Sequence, residues 1–176
     1  MPPAKGGGME ISMKSTRSNC GFSLVELIVV VAIMAVLMGI LIPTLVKQTS
    51  KSKRSVDSNS AHEIAASVNR VLSTDTDIYY TYSGDTPSNY SFVWDSGTTA
   101  DDVSQNPFAK AVFEDFGQVI PVSKWNHNLK WMVTYNGTTG DLHIYLVKSA
   151  DSTKGYEVYP DSASYISKAS EKDIDI

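Results

Sequence analysis

The sequence predicts an α+β protein: a long N-terminal α-helix, apolar in its first half and amphipathic in its second, packed on a small antiparallel β-sheet. Three observations predict it. Leu27 to Val46 is a run of twenty residues without a charge. Val56, Ala61, Ile64, Ala65, Val68, Val71 and Leu72 then recur at helical spacing, the pattern of a helix with one buried stripe. Farther on, Leu129, Trp131, Val133 and Tyr135 alternate, Asn136-Gly137-Thr138-Thr139-Gly140 turns the chain, and Leu142, Ile144 and Leu146 alternate again. That is an antiparallel hairpin, and a long helix lying on such a sheet is an α+β arrangement.

Residues 1–21 read as a disposable leader. Pro2, Pro3, the run Gly6 to Gly8 and several serines show no hydrophobic periodicity, so nothing in this segment can pack. Lys5, Lys14 and Arg17 stand against Glu10, which suits the cytoplasmic side under the positive-inside rule.

Residues 22–46 follow as a membrane helix. At about 1.5 Å rise per residue the uncharged run covers the roughly 30 Å hydrocarbon core of a bilayer. A secretory signal peptide has a shorter apolar region, about 7–15 residues, ending at a small-x-small cleavage site. Leu41-Ile42-Pro43-Thr44-Leu45 offers no such site, whereas small residues lie ahead of the run at Cys20-Gly21. Cleavage there leaves the anchor in the mature chain. Charge leaves the topology close to balanced, because Lys47, Lys51, Lys53 and Arg54 follow the span. The processing site and the large polar C-terminal part decide for an N-terminus inside and a head outside.

Glu26 is the one carboxylate near the start of this apolar helix. A carboxylate at the centre of a bilayer-spanning helix costs about 2.5–3.5 kcal/mol on insertion scales, less near the interface. Cleavage after Gly21 creates an ammonium at Phe22, four residues earlier on the same helix face, and pairing offsets that cost. The plain alternative is an interfacial glutamate that snorkels to water; the Gly21-Phe22 pair ahead of Glu26 favours the paired reading. Pro43 removes one helical hydrogen bond and Gly39 weakens the same segment, so a kink or a locally melted stretch is expected there, although membrane helices also tolerate both residues without special use.

Residues 47–72 continue the helix, giving a rod of roughly 75 Å from Phe22. Lys47 to Ser60 is polar all round, with Val56 its only aliphatic residue, and is expected to be a solvated neck or a segment completed by neighbouring subunits. His62 and Glu63 lie beside the apolar stripe and read as solvated residues. Residues 73–176 suffice for one compact α+β head. Ile78 to Tyr82 and Tyr90 to Trp94 are short strand-forming runs on either side of Ser83-Gly84-Asp85-Thr86-Pro87. Pro107 to Phe116 reads as a short helix, capped by Asn106 and ended by Gly117. Tyr156 to Tyr159 adds a third strand before Pro160 and a polar tail.

Gly21-Phe22-Ser23-Leu24-Val25-Glu26, the apolar run and Pro43 within it together resemble the N-terminus of type IV prepilins and of the pseudopilins of type II secretion systems. The resemblance implies a prepilin peptidase that cuts between Gly21 and Phe22 on the cytoplasmic side and methylates the new Phe22 amine. It implies that Glu26 meets the terminal amine of a neighbouring subunit, and that Pro43 accompanies a bent or partly unwound helix in the filament. The implied partners are further copies in a helical filament with minor pilins, the assembly platform and its ATPase, and membrane lipid before assembly. The implied location is the cytoplasmic membrane as a single-pass protein, then an extracellular pilus on the cell surface. A major or core pilin serving adhesion, twitching motility or DNA uptake is the leading function. A pseudopilin of a type II secretion or competence system is the alternative, and a membrane-anchored binding protein is a third.

Cys20 is the only cysteine and leaves with the leader, so the mature chain has no disulfide. Many relatives by resemblance close their C-terminal region with one; here packing, a metal or subunit contacts must hold the last strand. The net charge of −4 becomes more negative once the basic leader is removed. Lys47 to Arg70 has five basic and two acidic residues, whereas Ser73 to Ile176 has seven basic and fifteen acidic. A basic neck can attract acidic neighbouring heads or anionic lipid, while an acidic head does not favour binding to a DNA backbone.

No catalytic constellation is found, and no enzyme activity is expected. His62, His127 and His143 are scattered without metal-ligand spacing. Asp95, Asp101 and Asp102 share one Gly/Thr-rich loop and are candidate Ca²⁺ ligands, but they match no EF-hand spacing and a solvated loop is the preferred reading, with no cofactor. Trp94, Trp125 and Tyr165 are candidate surface aromatics, although most aromatics should be core. Asn89-Tyr90-Ser91 and Asn136-Gly137-Thr138 satisfy the glycosylation triplet, the second already explained by its turn.

Overall fold

The computed structural model describes residues 22–74 and 89–174. The leader with Cys20 and Gly21, and the expected strand Ile78 to Tyr82, lie outside the described residues. The chain divides into two units, residues 1–42 and 43–176.

In the first unit helix α1 (Leu24–Thr74) begins. Ser23 is its N-cap residue, with the Leu27 N–H donating to the Ser23 carbonyl at 3.2 Å. All described residues of this unit are exposed, Phe22 by 82% and Ile40 by 72%. An apolar surface this long has no counterpart on a water-soluble monomer, and a helix that satisfies its own backbone is what a bilayer demands. It is long and apolar enough to cross a membrane, with a mean hydropathy of 3.0 over its most apolar window. The helix is unbroken through Gly39 and Pro43. One lost hydrogen bond at a proline leaves those of the flanking turns in place.

The second unit is an α+β head. Along α1, Ala61, Ile64, Ala65, Val68 and Val71 are buried, as their spacing predicts. Two residues of the neck correct the expectation of a solvated segment: Asp57 and Ser58 are 0% and 3% exposed, while Val56 is 44% exposed. Helical register accounts for the exchange. Asp57 precedes Ala61 by four residues and Ile64 by seven, so it occupies the buried stripe and Val56 does not.

The strands are β1 (Asn89–Trp94), β2 (Lys130–Asn136), β3 (Leu142–Val147), β4 (Lys154–Tyr159) and β5 (Glu171–Asp173). They form one sheet in the order β1-β2-β3-β4-β5, antiparallel at every step. The β2–β3 hairpin closes as its alternation predicts. The Asn136 carboxamide accepts from the Thr138 and Thr139 N–H groups at 2.9 and 3.1 Å, and Gly140 takes the left-handed conformation at φ 79° that favours glycine. A bulge between Ile144 and Tyr145 shifts the β3–β4 register, so Tyr145 faces Glu157 while Ile144 faces Tyr159.

Among the described residues three short helices complete the head: α2 (Ala100–Val103), α3 (Pro107–Asp115) and α4 (Ser162–Ser167). Helix α3 matches its predicted caps. The Asn106 side chain accepts from the Ala109 N–H at 3.0 Å. At the other end Gly117, at φ 89°, donates to the Glu114 carbonyl and Gln118 to that of Phe113, the Schellman arrangement. The tail after Pro160 is not simply polar: it makes α4 and then β5, a strand whose three side chains are all exposed and which apolar alternation therefore cannot reveal.

The main core lies between the α1 stripe, α3 and one face of the sheet. Trp94, Phe108, Phe113, Trp131, Ile64, Ile144 and Leu146 are its largest fully buried side chains. Trp94 packs on Phe92 at 4.6 Å and Phe113 at 6.1 Å between ring centroids, and the Trp131 indole N–H donates to the Pro121 carbonyl at 2.7 Å. A smaller cluster of Met132, Tyr145 and Val147, with Val93 and Ile174 against it, occupies the reverse face.

Candidate functional site: the assembly helix and its anchor in the head

Glu26 lies in the first turn of α1. In the uncleaved chain the Phe22 nitrogen is a peptide nitrogen, so no ammonium is yet present to pair with it. Instead the Ser23 N–H donates to Glu26 Oε2 at 3.4 Å. Ser23 at the N-cap and Glu26 three residues on are the positions of a capping box, and this bond is its reach-back half. The carboxylate also lies where the positive end of the helix dipole favours an anion. Glu26 thus caps the start of the helix in the uncleaved chain. Pro43 stands at the first residue of the second unit, and Phe22 is exposed.

What sequence reasoning missed is the buried carboxylate that fastens the head to α1. Asp57 Oδ2 accepts from Ser123 Oγ at 2.8 Å, the Trp125 N–H at 3.1 Å and the Tyr165 hydroxyl at 3.1 Å, while Oδ1 accepts from the Lys124 N–H at 2.6 Å. Four donors around one carboxylate compensate its removal from water. Burial pushes the Tyr165 hydroxyl well above the usual tyrosine range, helped by the Asp57 charge and its hydrogen bond, so Tyr165 stays a donor. One turn earlier, Arg54 donates to the Ile166 carbonyl at 3.0 and 3.1 Å and to that of Ser167 at 3.4 Å, and its guanidinium stands 5.9 Å from the Trp125 ring centre. Asp57 and Arg54 thereby tie one helix to the β2 approach and to α4. The signal available in the sequence was register alone.

Farther along the helix, Ser67 donates to Asp115 at 2.5 Å and Arg70 to the same carboxylate at 2.7 Å. The Arg70 contact, then the Ser67 hydroxyl, hold the Asp115 carboxyl below the usual carboxylate range. β5 pairs antiparallel with β4 along its backbone, and ion pairs flank it. Lys148 pairs with Glu171 at 2.8 Å and Lys154 with Asp173 at 3.5 Å, while Lys172 pairs with Glu157 and Asp161.

The three candidate Ca²⁺ ligands are not brought together as a set. Asp95 pairs with Lys130 at 2.8 Å and accepts from the Gly97 N–H at 2.8 Å; the Lys130 contact above all lowers its pKa. Asp102 caps α2, accepting from the Thr99 N–H and hydroxyl at 2.7 and 2.8 Å. Asp101 is exposed in the same helix. The expected loop is therefore partly helical, and a lysine ammonium supplies the positive charge beside Asp95. Among the described residues no group of three or more His, Cys, Asp or Glu is arranged to hold a metal. Two supposed surface aromatics are core, Trp94 at 0% and Tyr165 at 2% exposure, and Trp125 is half-buried against Tyr156 and Tyr165. His62 is exposed and meets the edge of Tyr159 at 5.2 Å. Asn89 and Asn136 are cross-strand partners.

With a glycine-aromatic junction, a carboxylate in the first turn and an uncovered apolar helix behind it, the N-terminus has the parts of a processed assembly helix. Residues 16–42 match the prokaryotic N-terminal methylation motif. That motif is the type IV pilin and pseudopilin signature, and it marks a prepilin-peptidase substrate. The methylation motif spans the proposed cleavage position and the start of α1, and leaves the head unassigned. Comparison of the chain with curated proteins and with solved structures found no match.

Proposed function

We propose that this chain is a structural subunit, of the major or core kind, of a type IV pilus filament. Cleavage between Gly21 and Phe22 and methylation of Phe22 release an anchor helix that holds the subunit first in lipid and then among the helices of other copies. The observation that carries the reading is the methylation motif continuing into an apolar helix exposed at every described residue from Phe22 to Thr49. Such a surface requires lipid or other copies around it. Glu26 is the residue proposed to pair with a neighbour's methylated amine and to set axial register, and Pro43 the residue proposed to let the helix bend in the filament. No catalytic step and no cofactor enter this reading. Adhesion, motility or DNA uptake would follow from what the displayed heads touch.

Mass spectrometry of filaments sheared from cells tests it. This chain should be abundant there and begin at N-methyl-Phe22. An intact residue 1–21 segment on a membrane-bound monomer would sink the proposal. Recovery of the processed chain only in a secretion complex, with none in sheared filaments, would replace the pilus by the pseudopilin alternative.

A further inference from the structure

The lysines of the head fall into two classes. Lys110, Lys130, Lys148, Lys154 and Lys172 each have a carboxylate within 4 Å. Among the described residues, Lys47, Lys51, Lys53, Lys124 and Lys168 have none, and all five are exposed. The fold gathers the second class at one end. Lys47 directly follows the apolar stretch, whose last residues, 43–46, belong to the same unit as the head. The Lys124 backbone is bonded to Asp57, and Lys168 follows Ser167, whose carbonyl accepts from Arg54. Lys47, Lys51 and Arg54 lie at i, i+4 and i+7 and so share the helix face that meets the head; Lys53 lies off that face. From Lys47 to Arg54 is about 10 Å along the axis. Asp57, bonded to the Lys124 backbone, is buried and accepts from four donors.

We propose that Lys47, Lys51, Lys53, Lys124 and Lys168 form a basic collar that docks on the anionic headgroups of the membrane holding the apolar helix. The occupant follows from position and charge. The collar begins at the residue where the apolar stretch stops, within a Debye length of a headgroup layer. Among the described residues its lysines have no carboxylate within 4 Å while the head's other lysines do, and phosphate-bearing lipid is the anion present at that level in the membrane-anchored state. The collar also accounts for a basic cluster following the span, which local positive-inside counting alone does not explain. Lys124 and Lys168 come from loops distant in sequence, so the surface exists only because Asp57 and Arg54 fasten those loops to α1. The inference rests on the membrane-anchored state in the function proposed above and not on polymerisation.

The full chain, reconstituted at low density into sealed vesicles of phosphatidylcholine or of phosphatidylcholine with phosphatidylglycerol, is treated with a membrane-impermeant acetylating reagent, and each lysine is read by mass spectrometry. Anionic vesicles should lower acetylation of Lys124 and Lys168, with Lys47, Lys51 and Lys53, by about threefold or more. Molar salt should reverse the protection, and Lys110 and Lys154 should be unchanged. Equal labelling of Lys124 and Lys168 in both lipids overturns the collar. Protection that is the same in both lipids and grows with protein density assigns these lysines to acidic heads of other copies and also overturns it. If alkaline carbonate strips the chain from the vesicles, the anchored state fails and the collar with it, an outcome distinct from an anchored chain with unprotected lysines.

Discussion

Glu26 and Asp57 are two carboxylates on one helix with opposite solutions to the same desolvation problem. Asp57 accepts from four donors of its own chain, whereas among the described residues Glu26 accepts from one backbone N–H at 3.4 Å and has capacity to spare. The two therefore respond differently to substitution. Glu26→Gln retains an acceptor for the Ser23 N–H and suits a capping box, while Glu26→Ala removes both cap and charge. Both variants should be cleaved and inserted normally. An unpaired ammonium left in apolar surroundings costs about 2.5–3.5 kcal/mol, enough to lower the yield of sheared filaments roughly tenfold or more in both. Normal filaments from Glu26→Gln would show that the cap, not the charge, is what assembly needs. Asp57→Ala strands the Ser123 and Tyr165 hydroxyls and two backbone N–H groups, and should destabilise the head by about 3 kcal/mol or more. Denaturant unfolding of the full chain in detergent, followed by the fluorescence of Trp125, measures it; a loss under about 1 kcal/mol would mean that water replaces the carboxylate.

The elements differ in how they announce themselves. The β2–β3 hairpin and α3 are legible because alternation, turn residues and caps agree, each being a local steric or hydrogen-bonding demand. The pair α4 and β5 is not legible. Six and three residues long, they are held by ion pairs and by Tyr165 reaching Asp57, contacts between residues far apart in the chain. Gly155 on β4 shows how closely such elements fit: a Cβ there would lie 2.9 Å from Val147 Cγ1, 3.1 Å from Tyr145 Cβ and 3.3 Å from the Leu146 carbonyl. The nearby backbone oxygen and the Cβ of a fully buried tyrosine cannot swing away. Gly155→Ala should cost about 1–3 kcal/mol as an overpacking change, and Gly155→Val more, read as a fall in unfolding midpoint. An unchanged midpoint for Gly155→Val would mean that β4 shifts freely against β3, contrary to its paired register.

At the level of the molecule, charge makes stability depend on pH in two directions. The carboxyls of Asp95, Asp115 and Glu171 are held below the usual range chiefly by Lys130, Arg70 and Lys148, and that of Asp161 by the Ser164 hydrogen bonds. Folded values below unfolded ones mean that this stabilisation is complete above about pH 5 and is lost as pH falls through the depressed values. Lys148 and Lys172 are raised by Glu171 and Glu157, so their contribution is complete below about pH 10 and lost as pH rises through the folded values. Tyr165 adds to the alkaline limb, since its buried hydroxyl resists ionisation. Thermal unfolding should therefore show a plateau from about pH 5 to 9 with a decline on either side. A midpoint at pH 3 equal to that at pH 7 would contradict the role given to these ion pairs.

The apolar helix, its carboxylate, the methylation motif and the hairpin could be read from residues close together in the chain, because bilayer thickness, helical register and turn geometry act over a few turns or strands. Asp57, the reverse-face cluster, β5 and the gathering of Lys124 and Lys168 beside the neck could not. Each depends on which distant segment a side chain meets. A buried aspartate and a solvated one are written with the same letter until the fold supplies or withholds its donors.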